Sequence, residues 1–216
     1  MKKKTLYTCS ACGFESPRWY GKCPGCEAWN TMDEAPELPA PAAVKGAQKR
    51  AGGTGAEAES LKDISADAAI HQSTGILEFD RVLGGGVVEG SLLLIGGEPG
   101  VGKSTLLLQV CAHLAHEGKR VLYITGEESA RQIKLRAKRL GAGEGQVLVL
   151  AENAMDAVEA KLNSIQPDFA VVDSIQTMYR PDMASAPGSV SQVRESAALF
   201  MRYAKTSGCA IFLVGH

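Results

Sequence analysis

Five short runs of consecutive apolar residues recur through residues 63–216: Ser91-Leu92-Leu93-Leu94-Ile95, Arg120-Val121-Leu122-Tyr123-Ile124-Thr125, Gln146-Val147-Leu148-Val149-Leu150, Phe169-Ala170-Val171-Val172-Asp173 and Ala210-Ile211-Phe212-Leu213-Val214. Each is too short for a helix, and each is apolar on successive positions rather than alternate ones. Strands of this kind face no water on either side, which predicts a parallel sheet covered on both faces. Between the runs lie stretches with helical spacing: Ser104 to about His116, ended near Gly118; the basic segment Ala130 to Leu140, closed by Gly141; Asp156 to Ile165; and about Ser191 to Lys205. The turn Gly84-Gly85-Gly86 precedes the first strand. Strand–helix alternation predicts an α/β architecture, and no internal repeat is seen.

This periodicity is absent upstream. Residues 31–62 include Met32-Asp33-Glu34-Ala35-Pro36-Glu37-Leu38-Pro39-Ala40-Pro41 and Gly52-Gly53-Thr54-Gly55, with no apolar face, and read as a flexible linker. Residues 1–30 hold four of the six cysteines and both tryptophans, in a segment too small to fold on a hydrophobic core alone. The expected organisation is a small module (1–30), a linker (31–62) and an α/β domain (63–216).

Composition narrows the function classes. The 216 residues are 45% hydrophobic and 22% charged, the balance of a globular protein, and the net charge of -1 offers no global attraction to a polyanion. Lys2-Lys3-Lys4 resembles the start of a signal peptide, but Thr5, Tyr7, Thr8 and Cys9 interrupt any apolar core. No run approaches the about 20 apolar residues needed to span a bilayer. The expectation is a cytoplasmic protein without membrane contact.

Gly97-Glu98-Pro99-Gly100-Val101-Gly102-Lys103-Ser104 fits G-x-x-x-x-G-K-[ST] at every fixed position, with a strand before it and a helix after it. Glycines let successive backbone N–H groups turn toward one anion, and the helix starting at Lys103 adds its positive end. The Lys103 ammonium then reaches the β and γ phosphates, and the Ser104 hydroxyl takes a place on Mg²⁺. Asp173 stands at the C-terminal end of an apolar strand, where ligands gather in open α/β sheets, and is the candidate second magnesium group. Glu127 and Glu128 follow the strand ending at Thr125. They read equally as groups beside the γ-phosphate, delivered by a neighbouring parallel strand, or as solvated residues at a helix N-terminus.

Cys9-x-x-Cys12 and Cys23-x-x-Cys26, ten residues apart, match a tetrahedral four-cysteine zinc site with no open position, hence a structural one; a redox dithiol and an iron site are the rivals. Arg18, Trp19, Tyr20, Lys22 and Trp29 surround it, either as a grip for single-stranded nucleic acid or as the module's own small core. Cys111 and Cys209 sit alone in apolar surroundings and read as small core residues.

Taken together, these blocks resemble the RadA (Sms) family of bacterial RecA-like DNA repair ATPases. The resemblance rests on the four-cysteine finger, Ser73-Thr74-Gly75-Ile76 with Glu78-Phe79-Asp80-Arg81-Val82-Leu83-Gly84-Gly85-Gly86, Gly96 through Thr105, Gly126-Glu127-Glu128-Ser129, Val171-Val172-Asp173-Ser174-Ile175-Gln176-Thr177, Pro187 through Glu195, and Val214-Gly215-His216. It implies a RecA-like P-loop sheet with helices on both faces and recombinational repair, with ATP hydrolysis driving the processing of branched DNA intermediates. Also implied are contacts with single-stranded and branched DNA and with the RecA recombinase, and a homo-hexamer. Glu127 then matches the water-activating glutamate and Asp173 the Walker B aspartate, with Gly97 through Thr105 and His216, a γ-phosphate sensor, around the nucleotide. Tyr179 to Arg194 matches a DNA-contacting loop, with Arg180 and Arg194 as its cations. The family continues with a Lys-Asn-Arg-Phe-Gly motif and a Lon-protease-like domain that are not in this sequence, so the expectation is a truncated core. The alternative is a module that holds ATP and single-stranded DNA without turnover; a third reading has a protein client.

Overall fold

Residues 7–34, 60, 71–142 and 146–216 are described by a computed structural model of the chain. The apolar runs form five strands of one all-parallel sheet in the order β6-β10-β9-β7-β8, where β6 is Leu92–Ile95, β7 Val121–Thr125, β8 Val147–Ala151, β9 Phe169–Asp173 and β10 Ala210–Val214. The four expected helices are present as α2 (Lys103–His116), α3 (Ala130–Arg139), α4 (Met155–Ile165) and α5 (Val190–Ser207).

Side chains of a strand alternate between faces, so each strand feeds two cores. Val121, Tyr123, Phe169, Val171, Ala210 and Phe212 pack with Leu107, Leu108, Cys111 and Leu114 of α2 and Ile133 of α3. Leu122, Ile124, Ala170, Val172, Ile211 and Leu213 pack with Met155, Val158 and Leu162 of α4 and Leu199, Phe200 and Ala204 of α5. Cys111 and Cys209 are buried, as expected of small core residues. After β7 the chain therefore leaves toward α3 on one face, and after β9 it leaves toward α5 on the other. The two strands are neighbours, so a crevice opens between their C-terminal ends, the usual ligand position in an open α/β sheet.

Gly126 lines that crevice. Its N–H donates to the Asp173 carbonyl at 3.1 Å, and a Cβ there would collide with the Thr177 side chain. Ser129 and Gln132 form a reciprocal capping box that starts α3 immediately afterwards.

Elements that are too short to show a period in the sequence precede the sheet. Helix α1 (Leu77–Val82) lies between β4 (His71–Gln72) and β5 (Val87–Val88), which pair antiparallel. Asp80 holds this turn by accepting from Ser73 Oγ (2.6 Å), Thr74 N (2.8 Å) and Thr74 Oγ1 (2.6 Å). Burial opposes its charge, but the three donors outweigh it and lower its pKa.

The cysteine module carries β1 (Tyr7–Cys9), β2 (Glu15–Ser16) and β3 (Met32–Glu34), antiparallel in the order β2-β1-β3. Strand β3 falls beyond residue 30, inside the stretch read as linker; a three-residue strand leaves no pattern to detect. Residues 35–59 and 61–62 of that stretch lie outside the described residues. Among the described residues no helix is long and apolar enough to cross a membrane.

Replacing Gly126 with Ala is expected to wedge β7 from the turn after β9 and to cost roughly 1–3 kcal/mol, the usual range for overpacking. The check is a lower urea midpoint with an unchanged slope, which reports stability rather than a different unfolded state.

Candidate functional site

The phosphate loop runs from the end of β6 into α2. Gly97, Gly100 and Gly102 take φ of 152°, 83° and 100°, a backbone that side-chain-bearing residues rarely adopt. Gly102 is the N-cap of the 14-residue α2 and supplies no side chain to occupy the first N–H groups. Those donors and the helix dipole therefore face the loop's concavity, as an anion requires. Lys103 folds across the same concavity, its Nζ donating to the carbonyls of Gly97 (2.6 Å) and Glu98 (2.8 Å). Ser104 and Thr105 follow in the first turn.

Asp173 ends β9 on the face shared by Phe169 and Val171, which is the α2 face. It is 7% exposed, and its Oδ2 accepts from the hydroxyl of the fully buried Tyr123 at 2.5 Å. The peptide that follows it is cis. Strand β7, which delivers Glu127, is not the neighbour of the phosphate-loop strand; β10 and β9 intervene. Glu127 stands at the β7/β9 crevice instead, where its Oε1 accepts from Ser174 Oγ at 2.6 Å. Thr125 Oγ1 accepts from the Glu127 and Glu128 N–H groups and fixes the turn.

The two glutamates differ. Glu128 is ion-paired with Arg136 of α3, whereas Glu127 is exposed and holds only the Ser174 hydroxyl. Of the two, Glu127 is the carboxylate available to a ligand.

His216 follows β10, between the ends of β6 and β9. Gly215 N donates to the Ile95 carbonyl (3.0 Å), and Gln176 Nε2 donates to the His216 carbonyl (2.8 Å). A chain of contacts thus runs from β6 through β10 to the turn after Asp173.

The segment from Tyr179 to Arg194 begins beside that turn. Tyr179 N donates to the Asn153 carbonyl, and buried Gln192 ties the base of the loop, accepting from Arg180 N and donating to the carbonyls of Arg180 and Ser185. The Arg180 guanidinium is held by both oxygens of Asp182 (3.0 and 2.8 Å), which raises its pKa and lowers that of Asp182. Arg194 stands exposed at the start of the second turn of α5, 3.4 Å from Glu195. The structure does not gather these two cations into a basic patch; each already has a carboxylate.

In the N-terminal module the ligand atoms of Cys9, Cys12, Cys23 and Cys26 all lie within 4.8 Å of one another. Cys9 Sγ is 3.7 Å from Cys26 Sγ, and Cys12 Sγ is 3.6 Å from Cys23 Sγ. Four sulfurs about 2.3 Å from one zinc ion stand about 3.8 Å apart along a tetrahedron edge, so the cluster has the size of that site. Burial works against the Cys9 thiolate, but hydrogen bonding with the Thr31 hydroxyl and with the backbone brings its pKa down to about 6. Burial and the adjoining sulfurs push Cys12 up to about 12. Four thiolates this close need a cation to ionise together. Trp19 donates Nε1–H to the Met32 carbonyl (2.8 Å) and so serves the module, while Trp29 is 71% exposed.

Sequence reasoning gave no role of their own to Tyr123, Ser174, Gln176 and Gln192, although the last three lie in blocks that carry the resemblance. Tyr123 left a physical signal: a hydroxyl inside an otherwise aliphatic strand has to find a partner.

Comparison with known proteins agrees with this geometry. Residues 7–34 match the family model of a rubredoxin metal binding domain. The chain is 52% identical over 215 residues to a DNA repair protein RadA of Bacillus subtilis and 49% identical over 215 residues to one of Listeria monocytogenes. Each match takes in 100% of this chain but 47% and 46% of the relative, so the chain spans about half the length of the curated relatives it matches. The AAA domain model matches residues 59–216, which include the phosphate loop, Asp173 and the whole parallel sheet, and the chain belongs to the AAA domain family.

Proposed function

We propose that this chain is the nucleotide-handling part of a DNA repair ATPase, with residues 63–216 as the catalytic unit and the cysteine module as an appended structural unit. The observation that supports this most is that two carboxylates are delivered by neighbouring strands to one edge of the sheet. Asp173 lies on the α2 face, and Glu127 is pinned at the crevice beside it, at the same C-terminal edge as the phosphate loop.

In this reading the loop amides and the α2 N-terminus bind the triphosphate, and Lys103 exchanges its two carbonyl partners for phosphate oxygens. The oxygen donors available for Mg²⁺, the Ser104 hydroxyl and the Asp173 carboxylate, suit a hard cation. Oδ1 of Asp173 has no hydrogen-bond partner among the described residues. Bound Mg²⁺ supplies charge neutralisation on the phosphate oxygens. Glu127 orients a water and accepts its proton as oxygen attacks the γ phosphorus; the bond to the bridging oxygen breaks, leaving ADP and phosphate. Ser174 keeps Glu127 turned into the crevice, and His216 stands where the γ-phosphate is sensed.

The relatives' name brings DNA as the effector. On this chain its contact is assigned to the loop ending at Arg194, with Arg180 released from Asp182 on engagement. Processing of branched recombination intermediates, contact with a RecA recombinase, a hexameric ring and a cytoplasmic location follow from the family resemblance and concern the whole protein. Zinc in the cysteine module is supported by the sulfur spacing.

Four outcomes test this. Lys103→Ala removes the only side-chain cation of the loop and is expected to abolish ATP turnover, with nucleotide affinity reduced at least about ten-fold; calorimetric titration and phosphate release measure both. Glu127→Gln is expected to keep nucleotide affinity and lower kcat roughly 100-fold or more, the usual worth of a positioned base. Unstimulated turnover in the presence of single-stranded DNA would leave the nucleotide site standing and remove DNA as its effector. The purified chain is expected to carry one zinc and no iron, with Cys23→Ser losing the metal; elemental analysis decides, and a red protein would mean iron.

A further inference from the structure

Asp173 is held from inside the sheet. Strand registers pair Tyr123 with Val171, two residues before Asp173 and on the same face, so the Tyr123 ring lies diagonally under the carboxylate. The hydroxyl-to-Oδ2 distance is 2.5 Å, with the tyrosine 0% and the aspartate 7% exposed. A strand of this kind would pack as well with Phe at 123; the hydroxyl is the one polar atom that Tyr adds, and it is spent on the acid at the site.

We infer that Tyr123 is the positioning residue for Asp173: its hydroxyl takes Oδ2 and fixes the carboxylate so that Oδ1 alone faces the magnesium side. This rests on the reading of Asp173 as the magnesium-facing carboxylate. The strand pairing makes the bond a fixed constraint: both residues belong to neighbouring strands tied along their length by backbone hydrogen bonds, Val121 to Thr125 against Phe169 to Asp173, so neither Cα has room to drift. Carboxylates that serve metals are commonly oriented by such an outer partner, and losing one costs roughly 10–100-fold in metal affinity.

The bland alternative is that Asp173 merely satisfies a buried hydroxyl. The two differ in magnesium dependence. Binding of a non-hydrolysable ATP analogue is measured by calorimetry in EDTA and across a Mg²⁺ series, for the 216-residue chain, Tyr123→Phe and Asp173→Ala. Tyr123→Phe is expected to match the parent in EDTA and to need roughly ten-fold more Mg²⁺ for half of the magnesium-dependent gain. A magnesium curve identical to that of the parent overturns the inference. If Asp173→Ala also leaves the curve unmoved, the assignment of Asp173 has failed; if Asp173→Ala shifts it and Tyr123→Phe does not, only the role of Tyr123 has failed. Should Tyr123→Phe not fold, the parent chain labelled with 3-fluorotyrosine decides. Its solvent-shielded fluorine signal is expected to move with nucleotide plus Mg²⁺ and not with nucleotide in EDTA, and a signal that stays still in both overturns the inference.

Discussion

The register between β7 and β9 is the constraint on which the site depends. It pairs Thr125 with Asp173, places Tyr123 under the carboxylate and brings Glu127 to Ser174. In a strand the side-chain period is two, so a slip by one residue would turn Asp173 from the α2 face to the α5 face and move Val172 into its place. What prevents the slip is the burial of both faces: Tyr123 and Val171 on one side, Ile124 and Val172 on the other, are all 1% exposed or less. The hydrophobic effect therefore fixes the position of the two acids even though neither acid contributes to it.

Local electrostatics then sorts residues that composition leaves equivalent. Glu127 and Glu128 are adjacent and identical in kind. Arg136 projects from α3 to pair with the second, and Ser174 at the head of the turn after β9 reaches the first. The difference arises because α3 and that turn approach the same pair of residues from different sides, which requires the tertiary structure. The same holds for Arg180 and Arg194. As residues in a loop they look like free cations; in the fold each already has an acidic neighbour, Asp182 or Glu195.

The strands, the four long helices and the phosphate loop were legible in the sequence because each carries a signal of its own: an unbroken apolar run, a 3.6 spacing, or glycines at fixed intervals. The placement of Asp173 at a strand end was legible for the same reason. The order of strands was not. Nothing within Val121–Thr125 says that β10 and β9 separate it from Leu92–Ile95, so expecting Glu127 on a strand beside the phosphate loop had no local check. The short elements Leu77–Val82 and Met32–Glu34 were missed because they owe their form to partners distant in sequence: Asp80 closing on Ser73 and Thr74, and β3 pairing with β1. The cysteine cluster stands at the other extreme, since two tight knuckles dictate four converging sulfurs almost without help from the rest of the chain.

The residues that root the 179–194 loop are also those that hold Glu127 and the His216 backbone. Ser174 holds Glu127, and Ile175–Thr177, one turn of 3₁₀ helix, follows directly. Within that turn Gln176 grips the His216 carbonyl, while Thr177 Oγ1 returns to the Ser174 carbonyl at 2.7 Å. Buried Met178 comes next, then Tyr179 fastened to Asn153, and then Arg180, whose backbone is clamped on both sides by Gln192. Only five residues thus lie between Ser174 and Arg180, with a hydrogen bond or a buried side chain at nearly every step. A loop anchored this way shares its footing with the acid at the crevice, so the segment assigned to an effector and the group assigned to catalysis are set by one continuous stretch of backbone.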